Sequence, residues 1–524
     1  MTEIPNSPTA GAVATSHHLA TEAGAAMLRA GGNAIDAAVA AAAALCVVYP
    51  NNVALGGDLV ALVRSPDGDI RFVNATGRAP AAQTLDALRT RHGDALPARG
   101  IDAITVPGAV RGWQALAELG GRLDWAERLE PARRHARDGV PTAVSVARAI
   151  REERADLADD AGCRAVFLPE GAPLDEGAPL VQPALAETLD RLAERGPDEF
   201  YTGEVAARWI AGLAALGGRI TEQDASQYRA VVEDPLRLEA LGVEVVTAPP
   251  NTQGFSLLRT MLGVDEGDVR DPLGADAGRL AELFRIANQV RASWLCDPDV
   301  APLDGAELIT VDVPSSTDDA RPAHGDTVGL TAVSSDGWAV SLVQSVYWAF
   351  GACVLEPATG ILFQNRGTSF SLDPAHPAVF GPGLRPPHTL MPVLVLRDGR
   401  LLQAQATMGG QAQPQIHAQL LLRTLAGASA IEATSAPRWV VGVQDGGDTA
   451  TTVTVESDVA TPARRALDAA SEFAVKLVRP RDEALGHSNV IRVTANGIDA
   501  ASDPRSDGSA IVVEAEATTE AVAR

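Results

Sequence analysis

The sequence predicts a layered α/β protein (α+β in its segregation of helices and strands) built around a largely antiparallel sheet. Three observations point there. Residues 59–74 alternate in polarity around the turn Pro66-Asp67-Gly68, as a hairpin does. Residues 82–240 carry mostly helical periodicity, and the chain after Thr327 is strand-rich. Helices and strands segregated in this way favour sheet layers covered by helices.

Taken in order, residues 9–15 read as a short strand, and Ser16-His17-His18 leads into a helix from about His18 to Ala30 that Gly31-Gly32 ends. His17-His18 has no carboxylate or Cys at ligand spacing, so a helix cap is the expected role and no metal is expected. Asn33 caps a second helix, from Ala34 to about Val48, that is apolar on nearly all sides and so belongs between layers. After the 59–74 hairpin, Thr76-Gly77-Arg78 leaves the sheet, and an Arg at a strand end beside Gly is a candidate anion holder. Residues 236–247 return as strand, 279–298 form a helix, and 299–325 lack periodicity and read as an exposed, flexible segment. Strands are expected at 339–345, 360–363, 389–396, 400–407, 451–455, 476–478 and 489–493, with a helix at 414–425.

The chain has 524 residues, 46% apolar and 21% charged, with a net charge of −24. No basic cluster is present, which argues against nucleic acid or an anionic membrane as partner. The N-terminus has neither a basic nor an apolar signal region, and the apolar run 37–49 is too short to span a bilayer, so a cytoplasmic location is expected. The four Cys are scattered without metal or disulfide spacing and read as buried thiols.

The chemistry concentrates at Gly325-Asp326-Thr327-Val328-Gly329. Cleavage of the Asp326–Thr327 bond would make Thr327 a new N-terminus. Its hydroxyl would then stand beside an α-amine that titrates at roughly 7.7–8.0, a nucleophile with its own base. Gly329, Thr331 and Val333 continue a strand, Ser335-Asp336-Gly337 turns, and 338–343 returns, so Thr327 opens a hairpin that would hold it rigidly.

The segments Gly31-Gly32-Asn33-Ala34-Ile35-Asp36-Ala37, Leu55-Gly56-Gly57-Asp58, Val106-Pro107-Gly108, Gly325-Asp326-Thr327, Met408-Gly409-Gly410 and Asp503-Pro504-Arg505-Ser506-Asp507-Gly508, in this order, resemble the gamma-glutamyltranspeptidase family over almost the whole chain. The resemblance implies an N-terminal-nucleophile hydrolase with a four-layer αββα sandwich. It implies self-cleavage into a large subunit, 1–326, and a small subunit, 327–524, that stay associated, with a dimer of such heterodimers left open. Thr327 matches the nucleophile, Ser345 a position that assists it, and Gly409-Gly410 the oxyanion-hole donors. No cofactor is implied.

Other positions depart from γ-glutamyl recognition. Thr76 stands at the family's carboxylate-binding Arg, with Arg78 two residues on. Tyr347, Arg366 and Ser369 stand at its amide and acidic positions, and His388 and Thr389 at its paired serines. An added Arg and a lost acid favour an anionic substrate over an ammonium, with Arg78, Tyr347, Asn365, Arg366, His388 and Thr389 as candidate substrate-binding residues. The run from Gln364 to Pro374 looks like the branch containing oxamate amidohydrolase and cephalosporin-acylase-like proteins. Gly329, where a bulky aromatic is common, is expected to leave room beside the nucleophile, and Trp348 to supply an apolar wall. The implied activity is hydrolysis of a small or medium anionic amide or acyl compound. Alternatives are C–C cleavage releasing an oxalyl-type fragment, true γ-glutamyl transfer, and an inert binding scaffold.

Overall fold

The computed structural model describes residues 9–267, 269–313, 325–444 and 446–515. Two sheets stack face to face. The first has seven strands in the order Ser509–Glu514, Thr9–Thr15, Asp326–Ser334, Ala339–Tyr347, Asp58–Arg64, Ile70–Ala75, Val231–Glu233. The second has six: Gly497–Ser502, Ser488–Thr494, Arg400–Thr407, Val393–Arg397, Val243–Thr247, Leu236–Ala240. All pairings in both are antiparallel.

The period-2 geometry of each strand sorts its side chains between layers. On Asp58–Arg64, Val60 and Leu62 enter the core between the sheets, while Leu59, Ala61 and Val63 pack under the first helical layer. On Val393–Arg397, Leu394 and Leu396 face inward, and Val393 and Val395 meet Phe255, Leu258 and Phe284 of the second helical layer. The result is helix–sheet–sheet–helix, the αββα sandwich. Both sheet faces are dry, so several strands are buried almost end to end.

Helix Ala34–Val48 is buried along its whole length. Asn33 and Asp36 form a capping box at its start, and Asp36 also accepts from Arg128 Nε at 2.7 Å and from the Arg122 and Leu123 amides. The helix His18–Arg29 is capped by His17, whose Nδ1 accepts from the Leu19 amide. The motif at 503–508 is structural: buried Arg505 joins Glu456 to Asp503, and a Cβ at Gly508 would stand 2.2 Å from the Thr15 carbonyl oxygen.

Several expected boundaries move. The strand expected at 389–396 begins only at Val393, because Pro392 has no N–H and the preceding amides are taken locally: His388 N donates to Asn251 O and Met391 N to Gln413 Oε1. The expected strand 236–247 is a hairpin, turned at Leu241 (φ 54°) and Gly242 (φ 71°). Residues 299–313 are not uniformly exposed and flexible: they include the helical turn Glu307–Thr310, with Leu308 and Ile309 buried. Residues 314–324 of that stretch lie outside the described residues. A small three-stranded sheet holds one parallel pair, Thr452–Glu456 with Ala474–Val478. All four Cys are buried and free, and no helix among the described residues is long and apolar enough to cross a membrane.

Candidate active site

Thr327 lies at the start of its strand, fully buried, on the face that looks toward the second sheet; its neighbour Val328 points the other way into the helical layer. Across the hairpin, Ser341 pairs with Thr331 and Val343 with Gly329. Thr327 Oγ1 donates to Ser345 Oγ at 3.0 Å, and Ser345 Oγ donates to the Asp326 carbonyl oxygen at 2.7 Å. The Tyr347 amide donates to Ser345 Oγ at 2.7 Å, which fixes the serine rotor. Asn52 Nδ2 holds the Thr327 carbonyl at 3.1 Å, and Asn489 Nδ2 holds that of Gly329 at 2.7 Å. The hydroxyl of Thr327, its helper and the carbonyl preceding it are thus tied together at a rigid sheet edge.

The expectation that Gly329 leaves room for substrate is overturned. A Cβ there would stand 2.5 Å from the Thr407 amide nitrogen and 2.6 Å from the Ala406 carbonyl carbon. The space is already filled by the backbone of Arg400–Thr407. What Gly329 permits is a close approach of the two sheets, and the strand so admitted runs straight into Met408-Gly409-Gly410. Gly409 (φ 143°) and Gly410 (φ 52°) adopt backbone that favours glycine, and their amides donate to no protein group among the described residues. Gly409 lines the same cleft, of about 390 Å³, as Gly325 and Asp326, and the next residues lead to Gln411 in a second cavity of about 40 Å³.

That second cavity is lined by Tyr347, His388, Thr389, Ser369 and, unforeseen from sequence, Arg291 and His376. Behind it lies Arg366, fully buried, its guanidinium 3.6 Å from the Tyr347 ring centroid and its Nη1 donating to Thr389 Oγ1 at 3.3 Å. Arg366 Nε and Nη2 have no hydrogen-bond partner among the described residues. Burial lowers this guanidinium to about 10, against the pull of Tyr347 and Asp58. His388 Nε2 meets Asp58 Oδ2 at 3.0 Å. Burial, then the charge of Arg366, holds His388 well below its ordinary range, so the imidazole is neutral. Burial raises Asp58 to about 7 despite Arg366 and the Gly77 and Gly108 amides.

Two candidates are placed elsewhere. Arg78 is drawn into ion pairs with Asp299 (3.1 Å) and Asp297 (3.8 Å) and donates to the Gly383 carbonyl at 2.8 Å, so its guanidinium is taken by loop contacts. Asn365 is buried and bridges backbone, accepting from Trp348 N and donating to Ala98 O at 2.7 Å. It braces the turn after Tyr347 (φ 82°), where Phe350 (φ 57°) and Cys353 (φ 50°) are also left-handed. Arg99 pins this segment through the Ala349 and Gly351 carbonyls at 2.8 and 2.7 Å. Such backbone costs about 1–3 kcal/mol per residue and persists where surroundings enforce it. No cluster of three or more His, Cys, Asp or Glu among the described residues is arranged to hold a metal.

The Asp326 carboxyl, beside the bond expected to be cut, is raised to about 7 by burial and then by the nearby Glu483. A carboxyl whose folded pKa exceeds its unfolded one contributes most stability below the unfolded value and loses it as pH rises through about 7. In an uncut Thr327→Ala background, Asp326→Asn is therefore expected to be more stable than its parent at pH 8, by about 2–4 kcal/mol. The two should converge near pH 4. Urea melts at the two pH values check this; equal stability at pH 8 contradicts it.

The comparisons with known proteins agree with the fold. The chain is 38% identical to the oxamate amidohydrolase proenzyme of Klebsiella pneumoniae over 96% of this chain and 99% of that one. It is 34% identical to the glutathione hydrolase-like YwrD proenzyme of Bacillus subtilis over 95% and 98%. The crystal structure of a cephalosporin acylase from Bacillus halodurans matches with a TM-score of 0.88, 31% identity and 98% coverage of both chains. With the gamma-glutamyltranspeptidase family model matching residues 20–513, this chain belongs to the gamma-glutamyltranspeptidase family of hydrolases.

Proposed function

We propose that this enzyme cuts its own Asp326–Thr327 bond and that Thr327, then N-terminal, hydrolyses a small or medium anionic amide or acyl compound. The observation that carries the reading is the chain from Thr327 Oγ1 to Ser345 Oγ (3.0 Å) to the Asp326 carbonyl oxygen (2.7 Å). Ser345 polarises the carbonyl that Thr327 must attack, and Oγ attack on that carbon displaces the Thr327 nitrogen to leave an ester. That shift frees the Thr327 amine, and water then splits the ester to free the Asp326 α-carboxyl and the Thr327 hydroxyl. In turnover the amine takes the proton of Oγ as it attacks the substrate carbonyl, the Gly409 and Gly410 amides receive the oxyanion, and water releases the acyl group.

The two subunits would stay together because the cut falls inside one sheet. The hairpin that Thr327 opens in the small subunit, whose return strand is Ala339–Tyr347, is hydrogen-bonded on its two sides to Thr9–Thr15 and Asp58–Arg64 of the large one.

The anionic substrate rests on Arg366. A buried guanidinium with two unsatisfied nitrogens is costly unless an acceptor arrives, and the hydrolase named for oxamate among the relatives acts on an anion. Arg291 and His388 line the adjoining cavity, with the His388 ring held between the Leu390 amide and Asp58.

The test is N-terminal sequencing of purified protein, expected to give a fragment beginning Thr-Val-Gly-Leu, followed by incubation with oxamate and with a γ-glutamyl anilide. Ammonia and oxalate from the first without anilide release from the second support the reading; the reverse result makes the enzyme a γ-glutamyl hydrolase. Arg366→Ala should raise KM about 10–100-fold, from the loss of a charged hydrogen bond present in ground and transition states alike, with kcat changed far less. An unchanged KM removes Arg366 from the substrate pocket.

A further inference from the structure

We propose that Glu483, positioned by His487 and Arg148, takes the proton from the water that completes self-cleavage. This rests on Thr327 being the attacking residue, and it concerns the second half of that reaction: once Oγ carries the Asp326 acyl group, something must activate water against the ester.

The geometry assigns the role to the wall of the larger cleft. Thr327 is itself fully buried, whereas the cleft of about 390 Å³ brings solvent to Asp326 and Gly409, and Glu483 lines it beside them. Glu483 opens the helical turn Glu483–Leu485, and the turn is seated against the Gly409 backbone. A Cβ on Gly486 would stand 2.3 Å from the Met408 carbonyl oxygen and 3.2 Å from Gly409 Cα. The carboxylate has two basic neighbours. Its Oε2 pairs with Arg148 Nη2, and its Oε1 lies 3.6 Å from His487 Nε2.

His487 is the second, independent sign that this wall awaits something. It is fully buried, and neither ring nitrogen has a hydrogen-bond partner among the described residues. Its carbonyl oxygen accepts from Met408 N at 2.8 Å and Thr407 Oγ1 at 2.7 Å, which ties it to the strand that delivers Gly409. A buried imidazole whose nearest acceptor, Glu483 Oε1, stands 3.6 Å away is poorly satisfied. A water between Glu483, His487 and the Asp326 carbonyl would satisfy it.

Burial opposes ionisation of Glu483, but His487 and Arg148 outweigh it and bring the acid below its ordinary range. It is therefore a carboxylate at neutral pH. The other titratable groups lining that cleft are Asp326, Glu152, Arg479 and Asp482.

The step balances without a further reactant. The water oxygen bonds to the Asp326 carbonyl carbon, the bond from that carbon to Thr327 Oγ breaks, Glu483 accepts the water proton, and a proton returns to Oγ. The same proton could go to the newly freed Thr327 amine, and the experiment separates the two.

Precursor of Glu483→Gln should cut at least about 10²-fold more slowly, the typical contribution of a positioned base. It should also accumulate an ester that hydroxylamine splits, leaving a C-terminal hydroxamate on Asp326 by mass spectrometry. Glu483→Asp should recover part of the rate, and His487→Asn should accumulate less ester than Glu483→Gln. Wild-type cleavage by Glu483→Gln, or slow cleavage with no hydroxylamine-sensitive species, overturns the role of Glu483 and hands the proton to the amine. The double variant Glu483→Gln, Thr327→Ala should yield no hydroxamate. A hydroxamate there refutes the underlying assignment of Thr327 instead.

Discussion

Thr327→Ala is expected to leave one uncut chain of 54.3 kDa with no hydrolase activity, whatever the incubation time. The substitution removes one hydroxyl and disturbs little else. Thr327 is buried at a strand position that any small residue can fill, and the pairing of its neighbours Val328 with Gln344 and Asp326 with Tyr347 is unchanged. Ser345 would still donate to the Asp326 carbonyl, so the scissile bond would remain polarised with nothing to attack it. Loss of the nucleophile in a comparable acyl-transfer site costs up to about 10⁶ in kcat. Thr327→Ser keeps Oγ but drops the methyl that restrains its rotor, so it should cut slowly and to completion only with time. Two subunits from Thr327→Ala, read on a denaturing gel, would move the nucleophile elsewhere.

The place of Thr327 at the opening of a hairpin was legible in the sequence because short-range geometry specifies it, whereas Ser345 came from the family resemblance alone. A turn at 335–337 sets the register, with Thr331 opposite Ser341. Counting outward by four on each strand brings Thr327 opposite Ser345, where the hydrogen bond is found. A layered, largely antiparallel arrangement was legible in the strand and helix patterns, while the four-layer sandwich came from the family resemblance. The substrate side was not legible. Asp58 and His388 meet across 330 positions and Arg366 stacks on Tyr347 from a different loop, and no local pattern encodes either contact. Arg78 misled because a strand-end Arg beside Gly offers an anion site only if no acid reaches it, and Asp297 and Asp299 do. The edge strand Gly497–Ser502 escaped notice because it carries small and polar residues, and Ser509–Glu514 because its short apolar run Ile511-Val512-Val513 shows no alternation. Gly329 was misread for a related reason: a missing side chain declares a gap, but only the facing strand says what occupies it.

That correction yields the second large effect. Gly329→Ala should cripple both self-cleavage and hydrolysis although it adds one methyl group and touches no reacting atom. The new Cβ would meet main-chain atoms of Thr407 and Ala406 at 2.5 and 2.6 Å, and backbone in the middle of two stacked sheets has no rotamer by which to escape. Relief requires the sheets to part locally, at about 1–3 kcal/mol of overpacking. The strand that must retreat carries Gly409 and Gly410 at its end, so the oxyanion donors recede from Thr327 together. A displacement of about 1 Å in a positioned group costs on the order of 10²-fold in rate, and here it would fall on both cleavage and turnover. Gly446 is the matched control, since a Cβ there meets nothing within 4 Å, and Gly446→Ala should behave as wild type. If Gly329→Ala cut and turned over at the wild-type rate while melting normally, the close approach of the two sheets would not be what aims the glycine pair at the nucleophile.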